Sequence, residues 1–139
     1  MVANTKIINL PVFSDAEYGS LIAVEAMESI PFEVRRVYYI YAVPNSKERG
    51  YHSHNRLEQV LICVNGSVKI RVSTPDNMEE IILDSPESGL YIGPMVWRVM
   101  YDFSPDAVLL VLASEHFDES DYIRDYDSYI EKAEKYFSI

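Results

Sequence analysis

With one cysteine in 139 residues, the chain can form no internal disulfide. Cys63 lies inside the apolar run Val60 to Val64 and reads as an inert buried thiol. No apolar stretch reaches the roughly 18 residues that a membrane-spanning helix needs. Asn4 and Lys6 before a short apolar patch do not have the layout of a signal peptide, so the expected compartment is the cytoplasm. Basic residues are scarce too, 12 Lys and Arg against 22 Asp and Glu, for a net charge of −10. That balance disfavours nucleic-acid and anionic-membrane partners, which attract basic surfaces. The local exception is Arg35, Arg36 and Arg49, through which an anionic ligand can enter. The carboxylates crowded between Glu115 and Glu134 read as a solvated helix face. Internal repeats and low-complexity segments are absent.

What is present is ordinary globular composition, 48% hydrophobic and 24% charged, which fits a single domain spanning residues 1–139. Eleven tyrosines supply flat surfaces with polar tips. Short β-type runs follow one another from Lys6 to Ala113, and helical spacing is confined to the end of the chain. Strands are expected near Leu21 to Glu25, Val34 to Val43, Gln59 to Val64, Ser67 to Val72, Glu79 to Leu83, Gly89 to Ile92, Val96 to Phe103 and Ala107 to Ala113. Asn65-Gly66 suits a two-residue hairpin that pairs the runs on either side. In the second of these, Val68, Ile70 and Val72 alternate with polar residues, whereas the first is apolar on both faces, as in mid-sandwich. Eight or so short strands predict a mainly β protein of the jelly-roll barrel type, about residues 6–114. A helix is expected over about 118–137, capped by Asp118 or Ser120, with Tyr122, Ile123, Tyr126, Ile130, Ala133 and Phe137 on its packed stripe.

The chemistry concentrates in Arg49-Gly50-Tyr51-His52-Ser53-His54. Residues two apart on a strand share a face, so His52 and His54 project together. Gly50, His52, His54 and Glu58 resemble the first motif of the cupin superfamily, which in its metal-binding members joins a histidine from a second motif. Here that second stretch, from Gly89 through Trp97, Arg98 and Val99, lacks the histidine, and His116 beyond the last strand reads as exposed. Arg98 would repel a cation, so a metal-free, cofactor-free pocket is expected. Two histidines titrating near about pH 6.5 then point to proton transfer. Arg36, Arg49 and Arg98 can fork onto phosphate oxygens, and Tyr38, Tyr39, Tyr91 and Trp97 can cover sugar or base faces.

Nearly the whole chain is also similar to the nucleotide-sugar 3,4-ketoisomerases, a metal-independent branch of the cupins. The similarity runs through Gly19 to Leu21, Ile30 to Phe32, Arg36 to Ile40, Arg49 to His54, Leu57 to Val60, Leu83 to Pro86, Gly89 to Pro94, Trp97 and Asp121 to Arg124. It implies a cupin-type jelly roll with a C-terminal helix, a homodimer often formed by exchange of N-terminal strands, and a dTDP-linked 4-keto-6-deoxy sugar as substrate. It further implies that His52 is the base, that His54 relays a hydroxyl proton, and that Arg36, Tyr38 and Arg49 line the pocket. Relatives often carry histidine after the motif tryptophan, where this chain has Arg98. Rival readings are a sugar-nucleotide 3,5-epimerase, a metal-dependent cupin and a non-catalytic sugar-binding cupin; the first is disfavoured by the histidine pair.

Overall fold

A computed structural model describes residues 1–44 and 46–138. The elements, in chain order, are β1 Thr5–Asn9, β2 Val12–Asp15, β3 Gly19–Ile22, β4 Arg36–Tyr41, β5 Arg49–His54, β6 Gln59–Asn65, β7 Val68–Thr74, β8 Asn77–Leu83, β9 Ser88–Ile92, β10 Trp97–Tyr101 and β11 Val108–Ala113. A 3₁₀ turn, Glu119–Asp121, a short β12, Tyr122–Ile123, and α1, Tyr126–Phe137, complete the chain. Five strands form one antiparallel sheet in the order β1-β9-β6-β11-β4, and five form a second in the order β12-β5-β10-β7-β8. Among the described residues β2 and β3 pair only with each other. The two large sheets face one another in the expected cupin-type arrangement, but as separate sheets and not as a closed barrel. No helix among the described residues is long and apolar enough to cross a membrane.

Alternation decides what each sheet buries. Leu61 and Cys63 of β6, Leu90 and Ile92 of β9, and Leu109 and Val111 of β11 meet Val68, Ile70 and Val72 of β7 in the space between the sheets. The opposite face of the first sheet is also covered: Val60, Ile62 and Leu112 pack against Leu10, Ile30 and Phe32. That is why β6 is apolar on both faces. On the outer face of the second sheet Trp97 and Val99 pack against Ile123, Tyr129 and Ala133, so α1 serves as its cover.

Two expectations are corrected. The runs around Asn65-Gly66 do not pair: β6 lies between β9 and β11, and β7 between β10 and β8. The dipeptide instead turns the chain from one sheet to the other. Only Gly66 has positive φ, at 72°, whereas a type I′ hairpin needs it at both central residues. The corner is fastened to the turn before β11, where Ser104 Oγ accepts from Ser67 N at 2.9 Å and Asn65 Nδ2 donates to Asp106 O at 2.9 Å.

The second correction concerns the C-terminal helix, which starts at Tyr126 and not near residue 118. Asp118 does act as a cap, but of the 3₁₀ turn, and Asp125 caps α1 by accepting from Ser128 N at 2.9 Å. Between them the chain extends so that Tyr122 and Ile123 pair with His54 and Ser53, covering an otherwise bare sheet edge. Tyr129, outside the expected stripe, is 1% exposed, with its hydroxyl 3.0 Å from the Met95 carbonyl and 3.1 Å from that of Ser73.

A methyl group at Gly66 would collide with Ser104 Oγ and stand 2.9 Å from Ala107 Cα, in a backbone conformation that side chains disfavour. Gly66→Ala is therefore expected to cost about 1–3 kcal/mol, read as a lower midpoint in chemical denaturation. An unchanged midpoint would show that the corner yields freely.

Candidate active site

The inner space is apolar at one end and polar at the other, and β5 furnishes much of the polar end. Gly50 and Tyr51 have φ of 100° and 58°, and the pairing of β5 with β10 slips there, His52 opposite Arg98 but Gly50 opposite Val99. This is a β-bulge, a device that re-aims side chains. A Cβ at Gly50 would lie 2.8 Å from the Arg98 carbonyl oxygen, so glycine lets the two strands close and sets His52 beside Arg98.

Arg98 is 1% exposed and crosses between the sheets. Its Nη1 donates to Gln59 Oε1 at 2.6 Å, and its Nε and Nη2 donate to Val96 O at 3.2 and 3.1 Å. Gln59 Nε2 in turn donates to Tyr38 Oη at 3.0 Å. The Arg36 guanidinium lies over the Tyr38 and Phe117 rings, at 5.3 and 5.8 Å from their centroids. A cleft of about 350 Å³ opens over this network, walled by Arg36, Tyr38, Arg49, His52, Tyr122 and Arg124 among others. Arg124 lies 4.2 Å over the Tyr122 ring and is forked onto Glu119 at 2.8 and 3.0 Å.

His52 lines the cleft. His54 sits behind it, 1% exposed, with its ring centroid 4.9 Å from that of His52 and 4.3 Å from that of Tyr122. Burial, seconded by the Arg98 charge, pushes His52 down to about 3, and the same two causes lower His54. Both rings are neutral at pH 7, and the burial and Arg98 charge that keep them so also make them weaker bases in the free protein. Burial lowers Arg98 to about 10, which leaves it charged at neutral pH. Burial raises Tyr38, so its hydroxyl stays protonated. The arrangement can hold an anion at Arg36 and Arg49 while a neutral base works beside a fixed positive charge.

Among the residues singled out in the sequence, the structure brings together Arg36, Tyr38, Arg49 and His52 around the cleft, with His54 and Arg98 beneath it. Trp97 and Tyr91 are elsewhere. Because Arg98 points inward, its neighbour Trp97 points outward and packs on Tyr126 and Tyr129, with centroids 5.0 and 5.3 Å away. Leu90 and Ile92 point inward, so Tyr91 points outward and donates to Glu58 Oε1 at 2.6 Å. Glu58 is thereby drawn away from the histidines. The cupin metal set does not converge, and among the described residues no three His, Cys, Asp or Glu side chains are grouped to hold an ion. Gln59, Tyr122 and Arg124 were not singled out as site residues. Gln59 was readable from its phase with Leu61 and Cys63, whereas Tyr122 was hidden by its assignment to a helix.

A model of the family described as FdtA, WxcM-like, C-terminal, matches residues 3–134. TDP-4-oxo-6-deoxy-alpha-D-glucose-3,4-oxoisomerase from Aneurinibacillus thermoaerophilus is 49% identical over 124 residues, 89% of this chain and 88% of that one. A mutant of the 3,4-ketoisomerase QdtA from Thermoanaerobacterium thermosaccharolyticum, solved with TDP-4-keto-6-deoxyglucose, matches over 100% of both chains at 52% identity and a TM-score of 0.96. The WlaRB TDP-quinovose 3,4-ketoisomerase from Campylobacter jejuni matches over 94% of this chain and 99% of that one, at 47% identity and a TM-score of 0.90.

The buried neutral histidines make stability depend on pH. Unfolded, each takes up a proton near about pH 6.5; folded, His52 does so only near about 3. Between those values the unfolded chain holds more protons, so this stabilisation is complete above about pH 6.5 and is lost as pH falls toward 3, by up to about 1.4 kcal/mol per pH unit for each histidine. Urea midpoints should fall between about pH 6.5 and 5, with a shallower fall in His52→Asn. A flat wild-type profile would contradict neutral burial.

Proposed function

Because the chain belongs to the FdtA, WxcM-like family, we propose that it is a TDP-4-keto-6-deoxyglucose 3,4-ketoisomerase that works by histidine acid–base chemistry. The observation that carries this reading is His52, neutral and on the wall of an arginine-lined cleft, with Arg98 directly across the strand pair. The hydrogen on C3 is acidic because it neighbours the C4 ketone. His52 takes that proton, the electron pair shifts to the C4 oxygen, and protonation of that oxygen completes an enediol. Loss of the O3 proton and return of a proton to C4 then leave the ketone at C3. No oxidant or reductant is consumed. The buried guanidinium favours the enediolate electrostatically, and His54 handles the hydroxyl proton.

Arg36 and Arg49 are assigned to the diphosphate and sugar oxygens and Tyr38 to the sugar, while Arg124 is already forked onto Glu119. The packed positions of Trp97 and Tyr91 leave them supporting roles. No metal is required: Glu58 is engaged by Tyr91, and a cation would meet Arg98. The enzyme is assigned to the cytoplasm. It is further proposed to act as a homodimer, for which the support is the outward row on β4, with Val37, Tyr39 and Tyr41 at 54–65% exposure, and the detached β2–β3 pair, with Phe13 and Leu21 equally bare. Sedimentation analysis should give twice the chain mass, and a monomer at micromolar concentration would remove that part of the proposal.

The reaction itself is tested by incubating the protein with TDP-4-keto-6-deoxyglucose in D₂O and following the ring by NMR. The ketone should move to C3 with deuterium entering at C4, at the same rate in EDTA, and the couplings give the C4 configuration. Deuterium at C3 and C5 with the ketone still at C4 would make it a 3,5-epimerase, and no change at all would favour a binding protein. His52→Asn should lower turnover by about 10²- to 10⁴-fold while keeping its fold.

A further inference from the structure

Asp121, 3% exposed, closes the 3₁₀ turn before β12, and its carboxylate is held in place. Oδ1 accepts from Arg56 N at 2.9 Å and Oδ2 from Leu57 N at 3.2 Å, while Arg56 Nη1 stands 3.5 Å from Oδ1. Oδ2 also lies 3.3 Å from Nδ1 of His54. Among the described residues neither ring nitrogen of His54 has an aligned hydrogen bond, and a buried imidazole with two orphan nitrogens is costly. The Asp121 carboxylate is the acceptor set beside Nδ1.

The charged groups around His54 are uneven in sign. Arg98, Arg36 and Arg124 all oppose its protonation, and the carboxylate in contact is that of Asp121. A neutral ring carries one N–H. At Nδ1 that hydrogen meets a carboxylate oxygen; at Nε2 it would leave two lone pairs facing each other across 3.3 Å. The fixed carboxylate therefore selects the tautomer.

We infer that Asp121 is a positioning residue: it holds His54 as the Nδ1–H tautomer and so leaves Nε2 as the acceptor for a proton arriving from the cleft. Its use in turnover rests on the ketoisomerase reading, but the tautomer does not, and the two are tested separately. Long-range ¹H–¹⁵N correlation of the free protein at neutral pH should show the Nδ1 of His54 protonated and its Nε2 bare; the reverse would overturn the inference without any variant. Asp121→Asn with its oxygen kept toward Arg56 N turns an amide NH₂ toward His54 and gives up the hydrogen bond from Leu57 N, so the hydrogen should move to Nε2. In a folded variant, judged by its melting curve, kcat should fall at least about 10-fold, and up to about 10⁴-fold as when a catalytic histidine is held in the wrong tautomer, with KM unchanged. An unmoved tautomer, or a moved one with kcat intact, would overturn the positioning role. If the wild-type protein fails to turn over TDP-4-keto-6-deoxyglucose, the functional reading falls and the tautomer still decides the geometry.

Discussion

The guanidinium of Arg98 sits between two sheets, and much of the polar end of the molecule is arranged around it. Burying a charge is expensive unless hydrogen bonds replace its water. Here Gln59 and the Val96 carbonyl take that part, and no carboxylate forms an ion pair with it among the described residues. The charge is thus solvated but not neutralised. Its field falls on the two histidines, and burial together with that field keeps both uncharged. An unneutralised cation beside neutral bases is a poor arrangement for stability and a good one for stabilising a transient oxyanion. The apolar half of the inner space, around Leu61, Ile70 and Leu109, supplies stability that this end does not.

The bulge in β5 ties that electrostatic arrangement to one glycine. With any side chain at residue 50 the strand would have to lift away from the Arg98 carbonyl, and His52 would move with it. Gly50 therefore belongs to the site although it offers no functional group. Tyr51, on the other side of the bulge, points outward and bonds to Glu48, so the slip that aims His52 inward also turns this aromatic ring away from the cleft.

Period-two alternation made part of this legible in the sequence. It placed His52 and His54 on one face, and Val68, Ile70 and Val72 on one face, both as found. It could not say which face of the first sheet looks into the sandwich, because both are buried. Tyr91, alternating with Leu90 and Ile92, was therefore as good a candidate for the cleft as for the outer layer. Asn65-Gly66 failed for a related reason: the same dipeptide can close a hairpin or turn a corner, and what decides is Ser104 and Asp106, about forty residues on. Residues 122–123 fall within the helical spacing, yet β5 offers them an open edge to pair with, and that long-range gain outweighs local propensity.

A further constraint lies in how far apart in sequence the partners that hold the histidine end are. The turn leaving β5 and the approach to β12 meet at Asp121, which accepts from Arg56 and Leu57 through its side chain and from Asn55 through its carbonyl. Arg56 reaches back across the same junction to Glu115 and Asp118. The acidic C-terminal stretch, which in the sequence reads as solvated surface, thus sends one carboxylate inward to the histidines and uses others to occupy Arg56 and Arg124 at the surface. Arg36, Arg49 and Arg98 are left without carboxylate partners among the described ion pairs. A protein of net charge −10 can therefore still present a cationic cleft. Beyond a Debye length of about 8 Å its field is screened, so a bound anion senses chiefly the nearby arginines.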